Sequence, residues 1–361
     1  MKTLLRLLLK SQHQQNRSGP VQTEKGMTLV ELLVGAIMAF LIITPMLGFV
    51  VDMLNTDRRE QVKSNTEQDV QAALDFIAQD LSQAIYIYDN NPATTSTATT
   101  TATGIPALLA GNFIPAPDAT QTPILVFWKR QILPNSIPLV AGAQPNTCTT
   151  TATGANTCND TYVLALVAYY QVRDANPTWC QPSGAPCPTR IVRYQIQDGL
   201  RDPNSTDPNP LLRYFTGVST GQQRSLAFFA GGPNQAGFDI SNPTQNVTTG
   251  GANFGNPEVL VNYIDHSPGP ALTGNECRTA LGNPTNTTGV TPIPIPETTL
   301  IIPNPTNSFY ACVDTSKNIA RVTIRGNSLR RIQADADYNP NKSAYFPTAS
   351  VQVQGLGARG R

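Results

Sequence analysis

The 361-residue sequence predicts an α+β protein: a long N-terminal helix packed on an antiparallel β-sheet head with large loops. Three observations predict it. Apolar residues recur at helical spacing from Met27 to Tyr88; short β-branched and aromatic runs follow; and tracts rich in Thr, Pro, Asn and Gly separate those runs. The expected organisation is a leader over 1–26, a transmembrane half-helix over 27–53, an amphipathic half-helix over 54–89 and a β-rich head over 90–361.

The first half-helix reads MTLVELLVGAIMAFLIITPMLGFVV from Met27 to Val51, long enough to span a bilayer. Its one charge is Glu31, near the start. A carboxylate in lipid is costly and is kept where it has a partner. Gly35, Pro45 and Gly48 are the places where this half is expected to bend or open locally. Beyond it, Val62, Val70, Ala73, Leu74, Ile77, Leu81, Ile85 and Tyr88 mark one apolar face. The segment Gln68–Ala84 has no glycine or proline to interrupt it. Together the halves predict a helix of about 60 residues, roughly 90 Å long.

Residues 90–122 are dominated by Thr, Pro, Asn, Gly and Ala and predict loops. Strands are expected over Pro123–Arg130, Tyr162–Val172, Ile191–Gln197, Leu211–Phe215, Val259–Ile264, Phe309–Val313 and Ile319–Arg325. Arg190–Leu200 reads as strand, turn and the start of another strand. Residues 216–257 and 265–307 are expected to be insertions, where a specific function would sit.

The chain carries a net charge of +1. The leader holds Lys2, Arg6, Lys10, Arg17 and Lys25 against Glu24, a surplus of four positive charges, which leaves −3 for the remainder. Basic residues ahead of the apolar run place the leader in the cytoplasm and the head across the membrane. The cluster Leu4, Leu5, Leu7, Leu8 and Leu9 is interrupted by Arg6 and lacks a small-residue cleavage site, so it reads as a surface-seeking part of the leader. No basic patch points to nucleic acid as a partner.

Cys148, Cys158, Cys180, Cys187, Cys277 and Cys312 all follow the apolar run. An even number in an oxidising compartment favours disulfides. Of about fifteen possible connectivities, the simplest joins Cys148 to Cys158 and Cys180 to Cys187, leaving Cys277 with Cys312. A zinc site is disfavoured, with no CxxC and with His13 and His266 as the two histidines.

Apparent catalytic motifs are weak. Asp265-His266-Ser267 has the residue types of a hydrolase triad, but triads converge in space and adjacent residues do not supply that geometry. Gly355-Leu356-Gly357-Ala358-Arg359-Gly360 matches GxGxxG but has no helix after it, and reads as a flexible tail. Asp335, Asp337 and Asn339 resemble the first half of a calcium loop, but Pro340 stands where glycine is needed and Phe346 where the bidentate glutamate belongs. No P-loop is present, and no enzymatic activity or cofactor is expected.

Lys25-Gly26-Met27-Thr28-Leu29-Val30-Glu31 and the apolar run after it resemble the class III signal of type IV pilins and type II secretion pseudopilins. The resemblance implies that a membrane prepilin peptidase cuts after Gly26 and methylates Met27. Glu31 then becomes the fifth residue and faces the α-amine of a neighbouring subunit. Met27 departs from the phenylalanine commonest there, and the leader is longer than usual. Ala73–Ala84 is similar to minor subunits of the J and W type, in which a leucine-rich turn precedes Asp-Leu. The Thr-rich loops and Asn318–Arg331 resemble the cyanobacterial pseudopilins of hormogonium polysaccharide secretion. The expected partners are other pilins or pseudopilins, the peptidase, an inner-membrane assembly platform and an exported polysaccharide. The expected place is the inner membrane, crossed once, with the head periplasmic. A minor pilin or polysaccharide-binding tip adhesin is the alternative role, and an enzyme on a pilin-like stalk a more remote one.

Overall fold

The computed structural model describes residues 28–90, 104–111, 113–145, 148, 157–208, 213–215, 256–270, 272, 276–282 and 306–357. The chain divides into two units, Met1–Asp57 and Arg58–Arg361. Helix α1 (Leu29–Ser82) begins in the first and ends in the second.

The second unit is α+β. Strands β1 (Ala84–Ile87), β2 (Gln121–Pro138), β3 (Cys158–Val172), β4 (Thr189–Gln197) and β5 (Glu258–Ile264) form an antiparallel sheet in sequence order. Strands β6 (Phe309–Asp314), β7 (Ile319–Arg325) and β8 (Thr348–Gln354) form a second antiparallel sheet. Short helices α2 (Gly104–Ala110) and α3 (Glu276–Ala280) lie between strands. One apolar core takes the buried face of α1 and residues from both sheets, including Val70, Leu74, Ile77, Phe127, Val167 and Val322.

The buried residues of α1 are Thr66, Val70, Ala73, Leu74, Ile77, Asp80 and Leu81, the face expected from spacing with one carboxylate added. That carboxylate is held by three successive strands. Lys129 Nζ on β2 donates to Asp80 Oδ1 at 2.6 Å, Tyr169 Oη on β3 to Oδ2 at 2.7 Å, and Arg193 Nε on β4 to Oδ2 at 2.8 Å. Tyr169 and Arg193 are cross-strand partners. Burial alone would raise the pKa of Asp80; the Arg193 and Lys129 cations outweigh it and hold the carboxyl below its ordinary range. Burial, then the Asp80 charge, raises the Tyr169 phenol. Farther back along α1, Arg331 donates to Thr66 Oγ1 at 2.9 Å, pairs with Asp69, and lies over the Tyr263 ring at 4.4 Å.

The amphipathic half-helix was expected over 54–89, but the helix ends at Ser82. Its last carbonyls find other donors: Ser82 Oγ bonds the Gln79 carbonyl at 2.7 Å, and Arg130 N–H bonds that of Gln83 at 3.4 Å. Ala84–Ile87 then pair with Lys129, Trp128 and Phe127 of β2. Ile85 and Tyr88 continue the helical spacing, but the residues suit a strand equally and sheet pairing prevails.

Other expectations change as well. Residues 104–110, expected as loop, form α2, because Ile105 and Leu108 enter the core. In Leu211–Phe215, residues 211 and 212 lie outside the described residues, and Tyr214 makes an isolated bridge to Arg201 rather than a strand. The strand expected after Gly199 is that same bridge. Strand β8 was not foreseen, since Thr348–Gln354 is mostly polar. Most of the expected insertions over 216–257 and 265–307 fall outside the described residues.

The expected flexible tail is seated as far as Gly357. Gly355 N–H donates to the Asn318 carbonyl at 2.9 Å. A Cβ on Gly357 would stand 1.8 Å from the Ile85 carbonyl oxygen, and one on Gly355 2.4 Å from that of Ala84. The glycines are needed here for close approach to β1, not for holding a phosphate. Asn318 turns between β6 and β7 at φ 51° and serves the same strand. Its Oδ1 accepts from Ile87 N at 3.0 Å and its Nδ2 donates to the Ala84 carbonyl at 3.1 Å.

Asp80→Ala leaves Lys129 and Arg193 without their shared carboxylate and is expected to cost about 3–5 kcal/mol, read by urea denaturation of the detergent-solubilised protein. A carboxyl more acidic when folded than when unfolded stabilises fully above its unfolded pKa of about 4 and loses that contribution as pH falls through this value toward the folded one. Wild-type stability should therefore drop on acidification below about pH 4 more steeply than that of Asp80→Asn. Equal acid limbs in the two proteins would contradict the assignment.

Candidate functional site

The N-terminal unit presents one chemical feature. Every residue from Thr28 to Asp57 is exposed, including Leu32, Ile37, Phe40, Leu41, Leu47 and Phe49. Between Glu31 and Asp52 no charged residue occurs, a stretch of 20 residues by count of the sequence, which at about 1.5 Å per residue matches the roughly 30 Å of a bilayer's hydrocarbon. This helix, near the N-terminus, is long and apolar enough to cross a membrane. The other surface that would satisfy it is a set of like helices.

Glu31 sits in the first turn of α1. Thr28 precedes the helix, and its Oγ1 accepts from Glu31 N–H at 3.3 Å. Thr28-x-x-Glu31 is thus the sequence of a capping box. A carboxylate here also suits the positive end of the helix dipole. The bond seen here is made by the Glu31 backbone N–H, so the cap itself is supplied by the Thr28 hydroxyl. Gly26 and Met27 lie outside the described residues. Pro45 lies within α1, and Thr44 Oγ1 donates to the Phe40 carbonyl at 2.8 Å beside it. A Cβ on Gly35 or Gly48 would meet nothing within 4 Å.

All six cysteines are bridged: Cys148 to Cys158, Cys180 to Cys187 and Cys277 to Cys312. The Cys180–Cys187 loop encloses Arg330, a fully buried guanidinium. Its Nη1 donates to the Pro182 carbonyl at 2.9 Å, Nη2 to that of Gly184 at 2.9 Å, and Nε to that of Pro186 at 3.1 Å. Three carbonyl dipoles thus solvate a buried cation.

Asp265, His266 and Ser267 are buried but do not form a relay. Ser267 Oγ donates directly to Asp265 Oδ1 at 2.6 Å, and Arg325 Nε donates to Asp265 Oδ2 at 2.8 Å. His266 Nε2 instead faces Asp337 Oδ1 at 2.9 Å. The imidazole is not between serine and aspartate, so it does not serve the Ser267 hydroxyl as the base of a triad. The arrangement is a turn tied to β7: Asp265 N–H also donates to the Arg325 carbonyl at 3.0 Å.

The calcium-loop resemblance is similarly resolved into local bonds. Asp337 faces His266, and Asn339 Oδ1 accepts from Asn341 N–H at 2.9 Å, capping the short helix Pro340–Tyr345. Among the described residues no group of three or more His, Cys, Asp or Glu side chains is placed to hold a metal ion.

No family model, curated protein or solved structure matches this chain.

Thiol labelling of the protein from its native host should find essentially no free cysteine before reduction and all six after it. Full labelling without reduction would place the head in a reducing compartment and contradict the bridged structure.

Proposed function

We propose that this chain is a minor pseudopilin, a structural subunit of a filament of the type IV pilus and type II secretion kind that supports export, with polysaccharide as the exported material. The observation that carries the reading is α1: capped at Thr28, exposed and uncharged for the 20 residues between Glu31 and Asp52, then amphipathic and packed on antiparallel sheet from Thr66 to Leu81. One uninterrupted helix of this two-part character serves first as a membrane segment and then as the spine of a folded head. The Gly26-Met27 bond ahead of it is the processing site in this reading, cut by a prepilin peptidase.

Cleavage after Gly26 makes Met27 the N-terminus and leaves Thr28 free to cap the helix. In lipid, the Glu31 carboxylate is compensated by the α-amine of an adjacent subunit, and that pairing sets the axial register. The subunit resides in the inner membrane before assembly, with its bridged head on the oxidising side. The motor and platform are other proteins. A minor pilin or tip adhesin uses the same helix; the hollow on the outer face of the second sheet, described below, is the observation that favours a polysaccharide-contacting tip.

N-terminal sequencing of the mature protein should begin at Met27. Glu31→Ala should be cleaved at the same bond and remain in the membrane, because it lowers the cost of insertion. It should recover other pilin-like subunits from solubilised membranes about tenfold less than wild type. A different mature N-terminus would reject the processing site, and equal partner recovery would reject Glu31 as an assembly contact.

A further inference from the structure

The outer face of the second sheet has a chemistry distinct from its inner face. Alternation along β6 and β7 sends Phe309, Ala311, Val313, Ala320, Val322 and Ile324 into the core. The opposite face carries Tyr310, Thr323 and Ser350 as one cross-strand row, with Cys312, Arg321 and Gln352 as the next. A polar outer face is ordinary for an antiparallel sheet. What is not ordinary is a wall. Helix α3 stands beside the sheet, and the Cys277–Cys312 bridge ties it to the floor with Cα atoms 5.2 Å apart. Cys277 and Cys312 are both buried, with Leu281 packed beside them.

Wall and floor border an open hollow of about 600 Å³, lined among others by Glu276, Thr279, Tyr310, Arg321, Thr323 and Ser350. A second hollow of about 260 Å³ shares Glu276, Tyr310, Thr323 and Thr348 with the first, so the two form one groove. The second adds Tyr338 and Phe346, whose rings meet edge to face with centroids 5.2 Å apart. Arg325 below is already matched by Asp265. Arg321 is oriented by a 3.1 Å bond from its Nη2 to Ser350 Oγ.

These residues specify a kind of ligand. Hydroxyl side chains both donate and accept, a carboxylate accepts, and a guanidinium donates. A ligand meeting all three must offer many donors and acceptors at short intervals. The Tyr310 ring provides an apolar face with a polar tip, suited to the C–H face of a sugar ring. Among the described lining residues Glu276 stands against Arg321, while Arg325 is paired with Asp265, a balance that favours neither a polyanion nor a polycation. An extended peptide would add to a sheet edge and an amphipathic helix would need a continuous apolar trough, whereas this groove lies on the broad face of the sheet and mixes apolar carbon with hydroxyls, a carboxylate and a guanidinium. The volume is that of a small-ligand site.

We propose that this groove binds a neutral glycan chain, a few sugar units at a time, with Tyr310 as the stacking platform and Glu276 and Arg321 as the directional hydrogen-bonding pair. The disulfide fixes the wall before the ligand arrives, so little ordering is needed on binding. Identifying that glycan with the exported polymer rests on the function proposed above; the chemistry of the groove does not.

The test is calorimetric titration of the full-length mature protein in detergent micelles. The probes are neutral tetrasaccharides of glucose, galactose, mannose and xylose, with tetragalacturonate and an uncharged octapeptide as comparisons. At least one neutral tetrasaccharide should bind at millimolar concentration or better and outcompete both comparisons. Tyr310→Ala and Glu276→Gln should each weaken that binding by at least about tenfold, while Tyr162→Ala, exposed on β3, should leave it unchanged. Thiol counts on every variant verify that the bridges, and hence the wall, are intact. No binding of any neutral tetrasaccharide by about 10 mM, preference for tetragalacturonate or the peptide, or binding insensitive to both groove variants would overturn the proposal. Mature N-terminus and partner recovery are untouched by those outcomes, so failure of the groove and failure of the filament reading are separately visible.

Discussion

A single carboxylate ties the helix to the sheet. Asp80 lies in the last turns of α1 and is reached by Lys129, Tyr169 and Arg193 from three neighbouring strands. Burying an ion costs several kcal/mol, and apolar packing alone would often stabilise as well. The cluster adds direction. Apolar contacts such as Leu74 and Ile77 tolerate small slides of a helix over a sheet; a carboxylate accepting three bonds of 2.6–2.8 Å does not. Moving the helix by one residue would turn Asp80 toward solvent and strand two cations in the core. Register on the sheet side is specified equally, because a one-residue strand slip would send Tyr169 or Arg193 to the opposite face.

Adjacent arginines extend the same logic to the second sheet. Arg331 reaches Thr66 and Asp69 on α1, while Arg330 fills the Cys180–Cys187 loop beyond β3. Two successive residues after β7 thereby connect the helix and a loop of the first sheet. Asn318 and the Gly355–Gly357 segment cover the backbone of β1 from the other end of the second sheet. An open edge on β1 would invite pairing with another chain; here its groups at Ala84 and Ile87 are occupied. Among the described residues the main core of the head joins the two sheets, with polar contacts at its margins, and α1 passes from an exposed Gln61 to a buried Thr66 within about one and a half turns.

Much of this was legible in the sequence, and the reasons for the rest are physical. The apolar stretch after Glu31, the buried stripe through Val70, Leu74, Ile77 and Leu81, and six of the strands are all periodicities, which local sequence carries. The helix end was misread because Ile85 and Tyr88 satisfy both helical spacing and strand composition, and the arbiter is β2, some 40 residues on. Thr348–Gln354 has the alternation of a strand, but its inward residues are Ala349, Val351 and Val353, partly buried, and its outward ones wholly polar. The capping pair Thr28 and Glu31 is written in the sequence as Thr-x-x-Glu at the start of the helix. Helical spacing places Asp80 on the buried stripe, three residues after Ile77, but the cluster around it could not be read, because its partners stand 49, 89 and 113 residues away. The groove is of the same kind, since Glu276 on α3 and Arg321 on β7 come to line one hollow only in the folded chain.

The dependence of the helix on Asp80 is tested most directly by hydrogen exchange of the full-length protein in detergent, wild type against Asp80→Asn. In wild type, amides of Val70–Leu81 should exchange as slowly as those of Tyr169–Val172 in β3, because helix and sheet open together. In Asp80→Asn the helix amides should exchange about 100-fold faster while β3 keeps its protection, the signature of a helix that detaches ahead of global unfolding. Unchanged helix protection, or equal acceleration of helix and strand, would contradict the view that this carboxylate fastens the helix to the head.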